Sequence, residues 1–134
     1  MNLIFHLLSN PDTLHKLKAE LELAMPDRHA QPTLSQVEPL AYLNAVIQEG
    51  IRLHPGAVFR NQRCCPDEDL VYNDGQKNWM IPRNTPMTMT AQLLQMDPSI
   101  FPDPYEFKPE RWVDNPRLDR YLLSFSKGTR ACLG

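Results

Sequence analysis

The chain has 134 residues and a net charge of −2 at pH 7, from 14 Lys and Arg against 16 Asp and Glu. A chain of this length can form one ordinary domain with its own core. The balance of charge signs excludes the strongly basic surface that nucleic acids select, so no nucleic-acid partner is predicted. Three cysteines, an odd number without Cys-x-x-Cys spacing, indicate neither a disulfide framework nor a zinc site.

Helical patterns open the chain. The apolar run at residues 3–8 predicts the end of a helix, and it is far too short to span a bilayer. Asn10 and Pro11 predict the start of a second helix, with Asn10 as the N-cap and Pro11 at the first helical position. This helix is predicted to stop at Met25, which precedes a proline.

A third helical pattern covers residues 40–53, after a short helical turn that begins at Thr33. Its apolar residues recur at helical spacing, and Val46 and Ile47 are among those predicted to be buried. The helix is predicted to end before Pro55, because the residue that precedes a proline disfavours helical backbone angles.

Strand patterns follow the helices. Short runs rich in β-branched and aromatic residues predict four strands, at residues 58–64, 70–72, 79–81 and 87–90. Residues 73–75, Asn-Asp-Gly, predict a hairpin turn. The chain after Asp97 is punctuated by prolines, which predicts an ordered but irregular segment, and Trp79 and Trp112 are predicted to lie in the core. The predicted fold class is mixed, mainly α with a small antiparallel β-sheet, and no internal domain boundary is expected.

The last ten residues hold the most specific pattern. Gly128 and Gly134 lie on either side of Cys132, Arg130 lies two residues before the cysteine, and Phe125 begins the run. Glycine allows positive φ and close backbone approach, so N–H groups can reach the sulfur. A nearby cation favours the thiolate over the thiol and can pair with an anionic cofactor group. The alternative is a glycine-rich turn with an incidental buried cysteine.

Two further segments precede this run. Glu49 and Arg52 lie three apart on the predicted helix, so their side chains share a face, and Leu-His-Pro follows at residues 53–55. Residues 107–112 read Phe-Lys-Pro-Glu-Arg-Trp. With the final Phe-x-x-Gly-x-Arg-x-Cys-x-Gly run, these segments resemble three motifs of the cytochrome P450 (heme-thiolate monooxygenase) family, in the family's order.

The resemblance covers nearly the whole chain and is to fungal-type members. It implies a partial catalytic domain over residues 1–134, from the end of the long distal helix through the cysteine loop. The fold implied is the carboxy-terminal half of the cytochrome P450 fold, truncated at both ends.

The resemblance implies a cofactor, heme (iron protoporphyrin IX), whose iron is ligated by the thiolate of Cys132. It implies that Arg130 pairs with one heme propionate and Arg63 with a second; the alternative for Arg63 is a solvated strand charge. Phe125 would pack near the thiolate side of the porphyrin, or simply in the core. The other cofactor-binding positions implied are the loop glycines, Gly128 and Gly134.

The resemblance also implies that Glu49, Arg52 and Arg111 form a buried, structural charge network. Without it, Glu49 could be taken for a catalytic acid. A glutamate beside two arginines has a lowered pKa and stays ionised, so no catalytic side chain is predicted in this chain.

The implied parent reaction inserts one oxygen atom of O2 into a small apolar organic substrate, with electrons from an NADPH-dependent reductase. The loop at residues 125–130 is similar to fungal members that act in secondary metabolism. Family members of this type are anchored in the endoplasmic reticulum membrane by an amino-terminal segment that this sequence lacks.

Several family parts are missing from the sequence. No acidic-Thr pair precedes the first helix, and Asp12-Thr13 lies in the wrong context, at a helix start. The chain alone is therefore expected to be inactive. Two alternatives remain open: a non-catalytic, truncated remnant that binds little or no heme, and a heme-thiolate enzyme that uses peroxide or rearranges its substrate.

Overall fold

The computed structural model describes residues 2–27, 29, 31–129 and 131–133. They fall into two compact units: one holds the chain up to Ala57 and from Ala91 onward, and the other is Val58–Thr90. This division was not among the expectations from sequence. The expected fold class, mainly α with a small antiparallel β component, is confirmed.

The first unit is helical. Its elements are α1 (Asn2–Ser9), α2 (Pro11–Ala24), α3 (Leu34–Val37), α4 (Ala41–Leu53), α5 (Ala91–Gln95), α6 (Glu110–Asp114) and a 3₁₀ helix (Pro116–Tyr121). Among the described residues, no helix combines the length and the apolar content that crossing a membrane requires.

The junction between α1 and α2 differs from its prediction in one detail. Asn10 lies at the N-cap position of α2, but its side chain makes no capping bond there. Its Nδ2 instead donates to the carbonyl oxygen of His6, 2.8 Å away, on the last turn of α1. The last carbonyl oxygens of a helix lack intrahelical donors, and here one of them accepts a hydrogen bond from the Asn10 side-chain amide. The predicted end of α2 is confirmed, because the Met25 N–H closes the last turn on Leu21 at 2.8 Å.

A carboxylate from α2 caps the start of α4. The two oxygens of Glu20 accept the backbone N–H groups of Tyr42 and Leu43, each at 2.8 Å. These N–H groups have no intrahelical acceptor, and a negative charge also complements the helix dipole at this end. These two bonds tie α2 to α4, which carries residues of the candidate site.

The buried face of α4 is partly charged. Val46 is 1 % exposed, as expected, but Ile47 is 39 % exposed, so its predicted burial is wrong. Glu49 and Arg52, both at 0 %, lie on the face that turns inward. Since that face holds an ion pair, the apolar pattern alone could not identify it.

Trp112 belongs to the buried core cluster. It is 3 % exposed, which confirms its predicted burial, and its ring lies 5.8 Å from that of Phe101 between centroids. Ala45 and Leu118 complete the buried cluster. This cluster packs α4 against α6 and the 3₁₀ helix.

The second unit consists of two antiparallel ribbons, where a single small sheet was expected. β1 (Asn61–Arg63) pairs with β4 (Met87–Met89), and β2 (Leu70–Asn73) pairs with β3 (Asn78–Ile81). β1 is shorter than its prediction, so Cys64 and Cys65 follow the strand. Both cysteines are free thiols.

The turn between β2 and β3 confirms the predicted hairpin. Gly75 has φ of 91°, and its N–H donates to the side-chain oxygen of Asn73 at 2.7 Å. The predicted burial of Trp79 is wrong, because the residue is 46 % exposed. Its indole N–H donates to Asp74 at 2.6 Å, and the Lys77 ammonium lies 3.4 Å from its ring centroid, so the turn holds this ring at the surface.

Candidate functional site

Glu49 and Arg52 form a bidentate ion pair on the inward face of α4. Arg52 Nε donates to Glu49 Oε2 at 2.8 Å, and Arg52 Nη2 donates to Oε1 at 2.9 Å. Both side chains are fully buried. Paired parallel bonds of this kind fix the guanidinium and the carboxylate in one plane, which makes the pair geometrically specific.

Three more N–H groups converge on the same carboxylate. Arg111 Nε donates to Glu49 Oε1 at 3.1 Å, and the backbone N–H of Lys108 reaches the same atom at 3.0 Å. The indole N–H of Trp112 donates to Oε2 at 2.8 Å. The structure thus brings Glu49, Arg52 and Arg111 together. The participation of Trp112 was not foreseen, since its aromatic character indicated core packing alone.

The five N–H donors of Arg52 all have acceptors. Besides the two bonds to Glu49, Nη1 donates to the carbonyls of Gln95 and Pro104 at 2.8 and 2.7 Å, and Nη2 donates to that of Glu106 at 3.2 Å. Only a guanidinium has this number of donors in a fixed plane. Arg52 therefore joins α4 both to the end of α5 and to the segment before α6.

Arg111 also binds the segment before α6. Its Nη1 donates to the carbonyl of Pro102 at 2.8 Å, and its Nη2 donates to that of Asp103 at 3.3 Å. Asp103 has φ of 52°, in the left-handed region. Among the described residues, no buried side-chain nitrogen or oxygen lacks a hydrogen-bond partner. The network is therefore satisfied, which is the condition under which buried charges are tolerated.

The network keeps Glu49 ionised. Burial by itself would raise the pKa of this carboxyl, but the hydrogen bond and charge of Arg52, with the bonds from Lys108 and Trp112, outweigh it and hold the pKa below its ordinary value. A carboxyl that stays charged and fully surrounded by donors cannot deliver a proton at neutral pH. The arrangement suits a fixed counter-ion.

The cysteine loop folds back on itself. The backbone N–H of Cys132 donates to the carbonyl of Phe125 at 2.8 Å, and that of Ala131 donates to Gly128 at 3.0 Å. Ser126 and Gly128 have φ of 61° and 81°, which supplies the reversal. Arg130 and Gly134, both predicted to bind the cofactor, lie outside the residues that the structure describes.

The loop presents a free thiol. Cys132 is exposed and not in a disulfide. Phe125 is 54 % exposed, so in this structure it is not packed in the core. Leu133 is also exposed beside the cysteine. A loop with an exposed thiol and exposed apolar side chains is chemically compatible with a flat apolar group whose metal takes a soft sulfur ligand, as heme iron does.

Arg63 lies in the second unit. It is the last residue of β1, where its sequence neighbours predicted a strand, and it is exposed. Its Nη1 donates to the carbonyl of Gln62 at 2.9 Å, and its other guanidinium N–H groups, which have no acceptor among the described residues, could bind an anion. Within the described ranges, no three His, Cys, Asp or Glu side chains are grouped to hold a metal ion.

Comparisons with known proteins bear on the same residues. The family model described as Cytochrome P450 matches residues 1–134. The chain is 52 % identical over 97 % of its length to cytochrome P450 monooxygenase tpcC of Cochliobolus heterostrophus, and 52 % identical over 97 % to cytochrome P450 monooxygenase MO6277 of Ascocoryne sarcoides. It is 42 % identical over 98 % to cytochrome P450 monooxygenase TRI4 of Trichoderma arundinaceum. The chain spans about a quarter of the length of these relatives, 25 % in each case.

Proposed function

This chain belongs to the cytochrome P450 family, and on that premise we propose that it supplies the iron-ligand loop of a heme-thiolate monooxygenase. The single observation that carries the proposal is the loop itself. A free, exposed thiol at Cys132 is held by a backbone bond to Phe125, in a reversal made by Ser126 and Gly128.

The chain's residues would hold the heme as follows. Cys132 would give its thiolate sulfur to the iron, and Phe125 would lie against the porphyrin on the same side. Arg130 and Arg63 would pair with the propionates, a task that suits the planar guanidinium. Gly128 and Gly134 would allow close backbone approach around the sulfur. A thiolate-ligated heme supplies O–O bond cleavage when it is bound.

The buried network would keep this loop in place. Glu49 gathers Arg52, Arg111 and Trp112 around one carboxylate, which locks α4 to α6. Each contact is at hydrogen-bond distance between buried side chains, so its geometry is stiff. We assign Glu49, Arg52 and Arg111 a structural role, with no part in proton transfer.

The reaction proposed for the whole protein is monooxygenation. One atom of O2 enters a C–H bond of a small apolar organic substrate, and the other is reduced to water by two electrons and two protons. An NADPH-dependent reductase would supply the electrons. The relatives are cytochrome P450 monooxygenases of fungi by name, which supports monooxygenation. A role in secondary metabolism and an anchor of the whole protein in the endoplasmic reticulum membrane are further parts of the proposal.

A second candidate is that the chain by itself is non-catalytic and binds little or no heme. Its coverage of 25 % of the relatives favours this candidate, because most of a substrate pocket would have to come from elsewhere. The discriminating measurement is the heme spectrum of the purified chain, with NADPH consumption and product formation beside a competent reductase. Hydroxylated product above a heme-only control would reject the second candidate.

The ligand assignment has its own test. We define the intact holoprotein as a full-length, heme-loaded relative that carries residues 1–134 in place of its matching segment. Its reduced, carbon-monoxide-bound form should show the red-shifted Soret band of thiolate ligation. Cys132→Ser should abolish that band, whereas Cys64→Ser and Cys65→Ser should leave it. A band that survives in the Cys132 variant would reject the assignment.

A further inference from the structure

Gln95, the last residue of α5, is fully buried. A buried amide is costly unless both of its ends are hydrogen-bonded. This residue belongs to none of the motifs that the sequence displays. Its contacts show that it joins the end of α4 to the residues that lead into the cysteine loop.

The two ends of the Gln95 amide have opposite partners. Nε2 donates to the carbonyl oxygen of Arg52 at 2.9 Å. Oε1 accepts from the backbone N–H of Leu123 at 3.3 Å and from the hydroxyl of Ser124 at 3.2 Å. The backbone groups of Arg52 and Leu123 cannot exchange donor and acceptor roles, so they fix which end of the amide is oxygen.

The main chain of Gln95 is held as well. Its carbonyl oxygen accepts Arg52 Nη1 at 2.8 Å, so Arg52 meets both the backbone and the side chain of this residue. Ser124 Oγ also lies 3.3 Å from the carbonyl of Ile51. With one proton, this hydroxyl is shared between the Ile51 carbonyl and the Gln95 amide, which draws residue 124 toward α4.

The bonds continue from residue 123 to the cysteine. The carbonyl of Leu123 accepts the N–H of Ser126 at 2.9 Å, at the first positive-φ position of the loop. Phe125, the residue that precedes Ser126, accepts the N–H of Cys132 on its carbonyl oxygen at 2.8 Å. An uninterrupted set of hydrogen bonds and peptide links therefore runs from the buried network, through Gln95, to the thiol.

We infer that Gln95 is the positioning residue that fixes the start of the cysteine loop against the buried network, and so sets where the Cys132 sulfur lies. The inference rests on the proposed function, because the position of the sulfur matters through the iron it would ligate. The task needs a planar group with a donor at one end and an acceptor at the other. Methionine fills a similar volume without either.

The test compares Gln95→Met with two other variants of the intact holoprotein. Each lost hydrogen bond should lower the ratio of thiolate-ligated to other reduced, carbon-monoxide-bound heme about fivefold, which corresponds to about 1 kcal/mol. Amide hydrogen exchange at Leu123 and Cys132, measured on the same protein, should accelerate. Gln76→Met is the matched control, because Gln76 is exposed and its bond to Asp74 uses its backbone N–H.

A general loss of stability must be separated from a loss of position. Leu17→Ala opens the core beneath α2 and should lower the unfolding midpoint at least as much as Gln95→Met, yet leave the ratio unchanged. An equal fall of the ratio in Leu17→Ala, or a wild-type ratio in Gln95→Met, would overturn the inference.

Two further outcomes are also decisive. Where Gln95→Met yields no soluble protein, Ser124→Ala removes one partner of the amide, and a ratio unchanged by it rejects the positioning role. Absence of the thiolate band from the unmutated holoprotein counts against the proposed function and says nothing specific to Gln95.

Discussion

The indole N–H of Trp112 donates to Oε2 of Glu49 across 2.8 Å, so the largest side chain of the core also completes the coordination of its buried charge. One residue of α6 therefore both packs the core and donates a hydrogen bond to the buried carboxylate, whose charge is balanced by Arg52 and Arg111.

The two arginines should be energetically coupled. Arg52→Ala and Arg111→Ala should each lower the free energy of unfolding by about 3–5 kcal/mol, because each removes one of the two cations that pair with the buried Glu49 carboxylate. The double variant should cost less than the sum of the two. Urea unfolding of the intact holoprotein measures the cycle, with exposed Arg117→Ala as the control. Strict additivity would contradict a shared network.

A lysine at position 52 should not restore the stability that Arg52 provides, although it keeps the positive charge. Arg52→Lys keeps one positive charge but offers three donors, whereas five oxygens accept from the guanidinium. At least two acceptors lose their partners, at about 1–3 kcal/mol each. Unfolding of Arg52→Lys should resemble that of Arg52→Ala, and wild-type stability in the lysine variant would show that the charge suffices.

Acid should weaken the network in a defined direction. Because the folded-state pKa of Glu49 lies below its ordinary value of 4.5, its contribution to stability is complete above that pH and is lost as pH falls through the lower, folded-state pKa. Glu49→Gln should be less stable than wild type at neutral pH, and the difference should narrow in acid. Asp67→Asn, at an exposed position, is the control. A difference in unfolding free energy between wild type and Glu49→Gln that stays constant down to low pH would contradict this prediction.

The carboxylate of Glu20 should stabilise the start of α4. Glu20→Gln removes the charge and leaves one acceptor oxygen for two backbone N–H groups, so the free energy of unfolding should fall by about 1 kcal/mol. Exposed Glu68→Gln is the matched control, and thermal unfolding gives the comparison. Equal unfolding temperatures for Glu20→Gln and Glu68→Gln would show that the Glu20 carboxylate does not stabilise the start of α4.

The loop reversal should depend on Gly128. An alanine Cβ there would meet no atom of the described residues within 4 Å, so the penalty comes from the backbone at φ of 81° and should be about 1–2 kcal/mol. Gly128→Ala should reduce the thiolate band, and Gly128→Asn should do so less, because asparagine tolerates this region. Gly75→Ala has the same kind of strain at φ of 91° in the second unit and should leave the band intact.

Local rules were enough to predict several elements. Pro11 marked the first position of α2, and the three-residue spacing of Glu49 and Arg52 placed them on one face. The contact of Arg111 with Glu49 spans 62 residues of sequence, and no local rule reaches that far. Only the resemblance to a family indicated it.

The error at Ile47 and the omission of Gln95 have a common physical cause. Ile47 was expected inside because apolar residues define a buried stripe, whereas on α4 the satisfied ion pair takes that place. Gln95 carried no signal, since a glutamine at a helix end is ordinarily exposed, and its burial depends on partners 28 and 43 residues away. Long-range polar pairing is what the sequence pattern leaves undetermined.

The guanidinium groups of Arg52 and Arg111 donate hydrogen bonds to backbone carbonyl oxygens in the stretch from Pro102 to Glu106. Every amino acid has the same backbone carbonyl, so these bonds do not depend on which side chains the stretch carries. They do depend on the number of residues in it. A scan of single substitutions through residues 102–106 should be silent at most positions. Removing or adding one residue there should dislodge Arg52 and Arg111 together, because each would face the wrong oxygen.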